Sequence, residues 1–343
     1  MQAAGRNPAQ TRRAGREPGR RDVTTDGGTP IEELTDALVA GLLPRREPRA
    51  HKGDNGRVLL VAGSLDYAGA GLLASHAAGR AGAGLVTLAV PASLQPIVAG
   101  RFVEVITAGL PERAPFDVDP GAALERIGSL SHDALVVGPG LRGSPATDAL
   151  VAGLLGLAGA PAVVDAEALN ALSRSPGWPG TVARRCVLTP HPGEFRRLVP
   201  DVAGDLSGDD AARVRAAREA ASAWGQVVVL KGARTVVAEP GGTVARAPFE
   251  NPALGTGGTG DVLAGTIGAL LGQGLDPYTA ARVGVYLHGA AGDAIRDRLG
   301  DSGLLASDLP GEIAHVRHRL SRLREHRSGG HRRVGFALPE ETP

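Results

Sequence analysis

The segment from Asn251 to Gly274, NPALGTGGTGDVLAGTIGALLGQG, joins a glycine-rich loop to a stretch with helical periodicity. Four glycines within Gly255–Gly260 allow the backbone to approach a ligand closely and to turn its N–H groups toward it. The apolar residues that follow at helical spacing are Val262, Leu263, Ile267, Leu270 and Leu271. Because the free N–H groups and the dipole at a helix start attract anions, this segment predicts a phosphate-binding loop.

Asp261 stands at the start of this predicted helix, directly after the last loop glycine. An aspartate in this place could simply cap the helix, which is worth about 0.5–2 kcal/mol. A carboxylate beside a phosphate site is electrostatically unfavourable, however, and that cost is understandable if the carboxylate takes a proton during a reaction. We therefore predict that Asp261 is the catalytic base of an enzyme that handles a nucleotide phosphate.

Two further polar side chains stand where predicted strands end, His191 in TPHPGEF and Lys231 in VVVLKGART. Turns at Pro190 and Pro192 are expected to leave His191 and Glu194 exposed at the active edge of the sheet. An ammonium group at a strand end can bind a phosphate or a capping carboxylate. The alternatives are an ordinary turn histidine and an ordinary lysine at the end of a strand.

A third candidate contact is the turn around Ala70, in GSLDYAGAGLLASHAAGRAGAGLV, which joins the first predicted strand to a helix. The small residues Gly69, Ala70 and Gly71 would let a flat ligand lie against the backbone. The alternative is that they only allow a helix to pack closely.

The loop GPGLRG, Gly138–Gly143, matches the G-x-G-x-x-G pattern of dinucleotide-binding folds, and Asp165 follows about twenty residues later. A dehydrogenase therefore has to be considered. Pro139 inside the turn and Pro145 just after it argue against this assignment. No Walker A pattern occurs in the sequence, which excludes a P-loop NTPase.

The elements that must position these residues are short apolar strands alternating with alanine-rich segments of helical length. Runs of β-branched residues without alternation are typical of strands covered on both faces, as in a parallel sheet between helices. The segment from Thr235 to Ala247 differs and predicts a hairpin around Pro240-Gly241-Gly242 at the sheet edge. We therefore predict a three-layer α/β/α sandwich with a mostly parallel central sheet. Its chemistry is expected at the carboxyl ends of the strands. The predicted strands are Arg57 to Gly63, Leu85 to Val90, Ala134 to Gly138, Ala162 to Ala166, Cys186 to Pro190 and Val227 to Gly232.

Composition limits the function classes. Lys plus Arg (37) nearly balance Asp plus Glu (36), which argues against a dedicated nucleic-acid-binding protein. The single cysteine, Cys186, excludes an internal disulfide and a cysteine-based zinc site, and suits a reducing compartment such as the cytoplasm. No apolar run approaches the roughly 20 residues needed to span a bilayer, so no membrane partner is expected.

Three regions are predicted along the chain. Residues 1–28 form a basic leader with nothing to bury, predicted to be disordered; residues 29–315 form one domain; residues 316–343 form a basic tail. A short helix is predicted at Ile31 to Leu42, before the domain body. The tail contains RHRLSRLREHR, which predicts a solvated helical end or, alternatively, a contact with a polyanion.

Taken together and in this order, the motifs resemble the ADP/ATP-dependent NAD(P)H-hydrate dehydratases, a branch of the ribokinase-like fold. The resemblance runs from about His51 to Asp293. It implies a stand-alone dehydratase, because no fused epimerase domain is seen. The stretches that carry the resemblance are HKGDNGRVLLVAGS, AGAGLV, VVGPGL, VVDAEALN, LTPHPGEF, LKGART and NPALGTGGTGDVLAG. Departures from the family pattern are Arg142 after GPGL, Glu167 in the DAEALN stretch, and Thr259 where serine is frequent.

The resemblance implies that the substrate is the 6S hydrate of NADH or NADPH, with ADP or ATP as co-substrate and Mg²⁺ as cofactor. It assigns hydrate binding to Ala70, Gly140, His191 and Asp261. It assigns nucleotide binding to Lys231, Gly232, Ala233, Arg234, Thr235 and Gly260, and the glycine loop adds Gly257, Gly258 and Thr259. It further implies a homo-oligomer and a separate epimerase for the other hydrate epimer.

Three alternatives stay open from the sequence. The first is a ribokinase-like kinase of a small alcohol or vitamin precursor, which would share the GTGD loop. The second is the oxidoreductase built on Gly138–Gly143. The third is a nucleotide-binding sensor without catalytic activity.

Overall fold

The computed structural model describes residues 23–26, 29–101 and 103–328. Most of the predicted leader and the last part of the predicted tail lie outside these residues. The strands are β1 (Val23–Asp26), β2 (Thr29–Glu33), β3 (Arg57–Val61), β4 (Leu85–Pro91), β5 (Ile106–Leu110), β6 (Glu112–Ala114), β7 (Asp117–Val118), β8 (Ala134–Val137), β9 (Ala162–Val164), β10 (Cys186–Leu188), β11 (Val227–Leu230), β12 (Val236–Ala238) and β13 (Val244–Arg246).

The helices alternate with these strands along most of the chain, as expected for an α/β fold. They are α1 (Asp36–Leu42), α2 (Ala68–Arg80), α3 (Gln95–Ala99), α4 (Pro120–Gly128), α5 (Pro145–Gly156), α6 (Glu167–Ser173), α7 (Pro192–Leu198), α8 (Asp210–Trp224), α9 (Thr259–Gly272), α10 (Pro277–Leu299) and α11 (Leu309–Ser328). Short 3₁₀ turns occur at Trp178–Thr181, Pro252–Gly255 and Ala306–Asp308.

The central sheet has the strand order β1-β2-β13-β12-β11-β10-β9-β8-β3-β4-β5. The strands from β11 to β5 pair in parallel, as does β13 with β2. The pairs β1–β2, β11–β12 and β12–β13 are antiparallel. The predicted mostly parallel sheet and all six predicted strands are therefore confirmed.

Two helical layers cover the sheet, so the predicted three-layer α/β/α sandwich is confirmed. Successive residues of β3 point to opposite faces: Val58 and Leu60 join a core with α1, α2, α9, α10 and α11, whereas Leu59 and Val61 join a core with α4–α8. Because both faces are apolar, the strands show no alternation in sequence. Within the described ranges, none of the helices combines the length and the hydrophobicity that a membrane span requires.

The sequence predictions at the sheet edge need two corrections. The predicted hairpin forms as β12 and β13, but it is not the edge, because β2 pairs with β13 and β1 pairs with β2. The predicted helix from Ile31 begins only at Asp36, where the Thr35 side chain accepts a hydrogen bond from the Leu38 N–H. The preceding residues extend the sheet, because a backbone partner on β13 outweighs local helix propensity.

The C-terminal helix α11 continues past residue 315, where we placed the start of the tail. Val316 and Leu320 are buried, and Arg319 forms an ion pair with Asp36 at 2.6 Å. This part of the basic segment therefore packs against the domain along one face, while other basic side chains face outward.

Helices α2 and α9 pack closely because glycine lies at their contact. A Cβ atom placed on Gly265 of α9 would lie 2.0 Å from the carbonyl oxygen of Ala74 in α2. This contact fixes the N-terminal ends of both helices at the same edge of the sheet.

We expect Gly265→Ala to destabilise the fold by about 1–3 kcal/mol, because the helices must separate. Gly79→Ala, in α2, is the matched control, since no heavy atom of the described residues lies within 4 Å of its Cβ position. That change should stabilise the protein by up to about 1 kcal/mol through helix propensity. Urea unfolding measures both, and equal effects of the two changes would contradict the packing argument.

Candidate active site

The predicted site residues converge at the carboxyl ends of the parallel strands, where α/β sheets bind ligands. Asp165 follows β9, His191 follows β10 and Lys231 follows β11. The glycine loop and the first turn of α9 cover these ends. The tertiary structure therefore assembles one site from segments that are far apart in the sequence.

Asp261 is the third residue of α9, and it does not cap the helix. The N-cap is Gly258, whose φ of 92° suits glycine, and the cap has no side-chain hydrogen bond. Burial raises the pKa of Asp261, the nearby carboxylates of Asp165 and Glu194 raise it further, and Lys231 opposes them; the result is a pKa of about 7. A carboxyl group with this pKa can take and release a proton near neutral pH.

Lys231 is the cation that balances these carboxylates. Its Nζ lies 2.7 Å from Asp165 Oδ1 and 3.7 Å from Glu194 Oε2. Burial lowers the pKa of Lys231, but the charges of Asp165, Glu194 and Asp261 outweigh burial and raise it. A Cβ atom on Gly260 would lie 3.4 Å from this Nζ, so the ammonium group faces the first turn of α9.

His191 is the N-cap of α7, as the turn interpretation anticipated. Its Nδ1 accepts hydrogen bonds from the N–H groups of Gly193 (3.0 Å) and Glu194 (3.4 Å). The proton of the neutral ring must therefore sit on Nε2, which is left as a donor. The sequence prediction that Glu194 is exposed is wrong, because its carboxylate is buried and accepts from the His191 N–H at 2.8 Å.

A cavity of about 720 Å³ opens beside the first turn of α9. This volume lies within the range of small-molecule sites. Seven of the predicted nucleotide-binding residues line it, together with His191. These seven are Lys231, Gly232, Ala233, Thr235, Gly257, Thr259 and Gly260. An apolar wall completes it, formed by Ala247, Phe249, Leu254, Leu263 and Val285.

Arg234 and Gly258 do not line this cavity. The guanidinium of Arg234 pairs with carboxylates, those of Glu33 (3.4 Å), Asp210 (3.5 Å) and Glu250 (4.0 Å). Its contribution to the site is conformational: Arg234 has a φ of 51°, and its N–H donates to the Phe249 carbonyl at 2.7 Å. Gly258 faces α2, since a Cβ atom there would lie 2.7 Å from Leu73 Cδ1.

Ala70 and Gly140 lie next to each other. Gly140 has a φ of 65°, and a Cβ atom on it would lie 2.6 Å from Ala70 Cβ and 2.6 Å from the Tyr67 carbonyl oxygen. Ala70 belongs to α2, the same helix whose Leu73 contacts Gly258. Asp261 thus lies between two surfaces, the cavity on the Gly260 side and the small-residue surface of α2 on the Gly258 side.

The loop Gly138–Gly143 does not have the geometry that a dinucleotide fingerprint requires. A Cβ atom on Gly138 would lie 1.8 Å from the Asp165 carbonyl oxygen, so this glycine serves close packing against the end of β9. Asp165 itself is buried and paired with Lys231, and is not available to bind a ribose. The oxidoreductase alternative therefore loses its main support.

Sequence reasoning missed Arg213 of α8, one of the largest fully buried side chains. Its guanidinium donates to the carbonyl groups of Ala233 and Leu230, directly beneath the Lys231–Thr235 loop. Gly232, with a φ of 141°, leaves room for it. An arginine within the alanine-rich sequence of α8 gives no signal of burial, since most helical arginines are solvated.

His288 of α10 was also missed. It is buried, lines the cavity, and its Nε2 lies 2.9 Å from the Thr259 carbonyl oxygen in the first turn of α9. Burial lowers the pKa of His288 to about 4, so the ring is neutral at pH 7 and donates this hydrogen bond. The Thr259 hydroxyl in turn donates to the carbonyl groups of Leu254 (2.8 Å) and Thr256 (3.0 Å). These bonds fix the glycine loop.

The depressed pKa of His288 predicts a pH-dependent stability. Above pH 6.5, the ordinary pKa of histidine, the depressed pKa does not reduce the free energy of unfolding. As the pH falls from 6.5 toward about 4, the protein loses stability, because the unfolded chain binds a proton and the folded ring does not. In His288→Gln, an amide can still donate but cannot be protonated. We expect the free energy of unfolding of the variant, relative to that of the wild type, to increase by up to roughly 3 kcal/mol when the pH is lowered from 7 to 4.

Urea unfolding at several pH values measures this difference. The contributions of carboxylates that titrate in both proteins cancel when the two free energies of unfolding are subtracted. The exposed His76, changed to Gln, is the matched control and should show no such trend. A difference between wild type and His288→Gln that stays constant with pH would rule out the neutral buried ring.

Known proteins resemble this chain in both sequence and fold. A sequence model of one protein family, NAD(P)H-hydrate dehydratase, matches residues 58–314. The chain is 46% identical over 290 residues to the bifunctional NAD(P)H-hydrate repair enzyme Nnr of Moorella thermoacetica, a match that covers 84% of this chain and 54% of that protein. It is 38% identical over 286 residues to the ADP-dependent (S)-NAD(P)H-hydrate dehydratase of Xanthomonas campestris, covering 83% of this chain and 96% of that protein. The chain thus spans about half the length of the bifunctional relatives.

Solved structures show the same relationship. The ADP/ATP-dependent NAD(P)H-hydrate dehydratase from Bacillus subtilis, co-crystallised with ATP and Mg²⁺, superposes with a TM-score of 0.72 at 32% identity, covering 83% of this chain and 97% of that one. A ribokinase-like superfamily protein from Enterococcus faecalis superposes with a TM-score of 0.71 at 23% identity, covering 88% and 100%. The latter shows the ribokinase-like fold alone. Every residue of the candidate active site lies within the part that the family model matches, and the chain belongs to the NAD(P)H-hydrate dehydratase family.

Proposed function

We propose that this protein uses ADP or ATP to dehydrate the 6S hydrate of NADH or NADPH and so restores the reduced cofactor. One observation carries the proposal: Asp261, a half-buried carboxyl group with a pKa of about 7, stands in the first turn of α9 beside a cavity of nucleotide size. A group that titrates near neutral pH at a phosphate-binding helix start suits proton removal coupled to phosphoryl transfer.

We assign the nucleotide to the cavity. Its terminal phosphate would meet the N–H groups of Gly257–Gly260, the start of the α9 dipole and the ammonium group of Lys231. Gly232, Ala233 and Thr235 would line its path, and Arg234 would hold the loop in shape. The apolar wall around Phe249 suits a nucleobase.

The hydrated nicotinamide ring is assigned to the α2 side of Asp261. The ring would lie against Ala70 and Gly140, neither of which carries a side chain larger than a methyl group, with the exposed Tyr67 beside them. The helix cap holds Nδ1 of His191, so the half-exposed ring would offer its Nε2–H, which lies 3.6 Å from Glu194 Oε1, to the substrate. This arrangement would place the ring hydroxyl between Asp261 and the terminal phosphate.

The chemistry then follows from the poor leaving ability of hydroxide. Asp261 takes the proton of the ring hydroxyl, and the oxygen attacks the terminal phosphorus of the nucleotide. The bond from that phosphorus to the bridging oxygen breaks, and AMP leaves from ADP or ADP leaves from ATP. The N–H groups of the loop stabilise the charge that develops on the transferred group.

The second half of the reaction discards the phosphate. The ring nitrogen donates its electron pair, the C–O bond to the phosphate breaks, and loss of a proton from the adjacent ring carbon restores the dihydronicotinamide. The net result is dehydration, although the first step is that of a kinase.

A magnesium ion fits this site only as a companion of the nucleotide. No group of three or more His, Cys, Asp or Glu side chains that could hold a metal occurs within the described ranges. The nearby carboxylates of Asp165 and Glu194 are already occupied by Lys231 and by the α7 cap. The ion would therefore be held mainly by phosphate oxygens and water, and would reduce the negative charge of the nucleotide.

We also propose that the catalytic domain extends through α11, so that its C-terminal limit lies beyond the predicted range of 29–315. The described residues provide the dehydratase site, and the epimerase activity of the bifunctional relatives would reside elsewhere, for example on a separate protein. Assembly into a homo-oligomer and location in the cytoplasm stay predictions from the family resemblance and the cysteine content.

The decisive test supplies hydrated NADH with ADP and with ATP in parallel. We expect the absorbance of reduced nicotinamide to return together with inorganic phosphate. Asp261→Asn should reduce this rate by roughly 10²–10⁴-fold while nucleotide binding persists, since the amide cannot accept the proton. A stable phosphorylated product would instead indicate a kinase, and unchanged turnover of Asp261→Asn would remove this residue as the base.

The pKa of Asp261 predicts a rising limb near pH 7 in kcat/KM, because only the ionised carboxylate is active. Glu194→Gln keeps the α7 cap but removes a negative neighbour, and should shift this limb to lower pH. Lys231→Met removes the opposing positive charge and should shift it to higher pH. Shifts in the same direction in both variants would contradict the proposed electrostatics.

A further inference from the structure

A second large cavity, of about 910 Å³, lies at the other end of helices α2 and α9. Both helices begin at the candidate active site, and with 13 and 14 residues they place this cavity about 20 Å away. We call it the basic cavity, because six basic side chains line it. These are Arg45, Arg46, Arg80, Arg317, His318 and Arg324.

Arg317 shows how the positive charge is organised. Its guanidinium donates to the Ala81 carbonyl and, at 2.7 Å, to Gln273 Oε1, so both acceptors are neutral. Burial lowers the pKa of Arg317 to about 10, and the charges of Arg46 and Arg324 contribute to this decrease. Neutral acceptors therefore hold the guanidinium in place, and no carboxylate of the described residues pairs with it.

Three further arginines of the cavity, Arg45, Arg46 and Arg80, form no ion pair within the described part of the chain. Arg324 is held by the protein itself, and one of its hydrogen bonds goes to the Leu43 carbonyl at 2.7 Å. Two carboxylates, Glu47 and Glu325, also line the cavity, and five arginines outnumber them. Arginines this close repel one another unless an anion lies between them.

The backbone is adapted to this arrangement. Gly82 has a φ of 104°, and a Cβ atom on it would lie 2.5 Å from Arg317 Nη1. Any other residue at this position would displace the guanidinium. The described residues that line the cavity include no large apolar side chain, so recognition must rest mainly on charge and hydrogen bonds. Guanidinium groups bind phosphate through paired N–H donors, and several of them match an anion with more than one phosphate.

We propose that the basic cavity binds a small anion that carries two or more phosphate groups, either an inorganic polyphosphate or the phosphate chain of a nucleotide. This site is separate from the nucleotide cavity at Lys231. It gives a role to the basic segment of α11, which the proposed catalytic function does not use.

The test titrates inorganic tripolyphosphate into the full chain by calorimetry. Lys231→Met, which weakens anion binding at the active site, should retain tripolyphosphate binding in the basic cavity. In that background, Arg46→Ser should weaken this binding about tenfold or more, through loss of a charged hydrogen bond. Arg46 is exposed, so its replacement does not threaten the fold. Arg317→Gln should have a similar effect.

The matched control is Arg322→Ser, an equal change of charge on an exposed position of α11 outside the cavity. It should leave the affinity nearly unchanged. Repeating the titration with ATP separates the two sources: equal affinities indicate recognition of phosphates alone, and tighter ATP binding indicates a nucleotide. Absence of binding in Lys231→Met, or equal losses in Arg46→Ser and Arg322→Ser, would overturn the proposal without affecting the proposed dehydratase activity.

Discussion

The candidate active site depends on one buried ion pair, that of Lys231 with Asp165. The ammonium lies 2.7 Å from the Asp165 carboxylate and also within 4 Å of Glu194, beneath the first turn of α9. Without this cation, three carboxyl groups would share a poorly solvated space. With it, the negative charges of Asp165 and Glu194 are balanced by the ammonium group, and Asp261 retains a pKa near neutrality. The same lysine faces the glycine loop, where a phosphate would add further negative charge. The balance of charges therefore links proton removal to nucleotide binding.

Helix packing makes this balance possible. Gly265 brings α9 against α2, so that Asp261, Leu73 and Ala70 meet at one edge of the sheet. Arg213 and His288 support the two loops from below, by bonds to Ala233 and Thr259. Neither side chain needs to touch a substrate. Their positions explain how loops rich in glycine keep a defined shape, because each loop is tied to a helix by a buried hydrogen bond.

The two cavities lie at opposite ends of the same pair of helices. One combines a glycine loop, an apolar wall and compensated charges, which suits a nucleotide together with a reacting hydroxyl group. The other is lined mainly by charged side chains, with five arginines against two carboxylates, which suits an anion that does not react. This contrast explains why a chain with nearly equal numbers of acidic and basic residues can still hold a locally strong positive charge.

The sequence by itself determined the layered fold, because runs of β-branched residues are recognisable without long-range information. It also determined the glycine loop and singled out Asp261, His191 and Lys231, since their motifs are local. It did not show that Gly258 rather than Asp261 caps α9, that Arg234 pairs with Glu33, or that Glu194 is buried. Nor did it show the roles of Arg213, His288 and the Asp165–Lys231 pair. Only the tertiary structure decided these, because burial and charge pairing depend on residues distant in sequence.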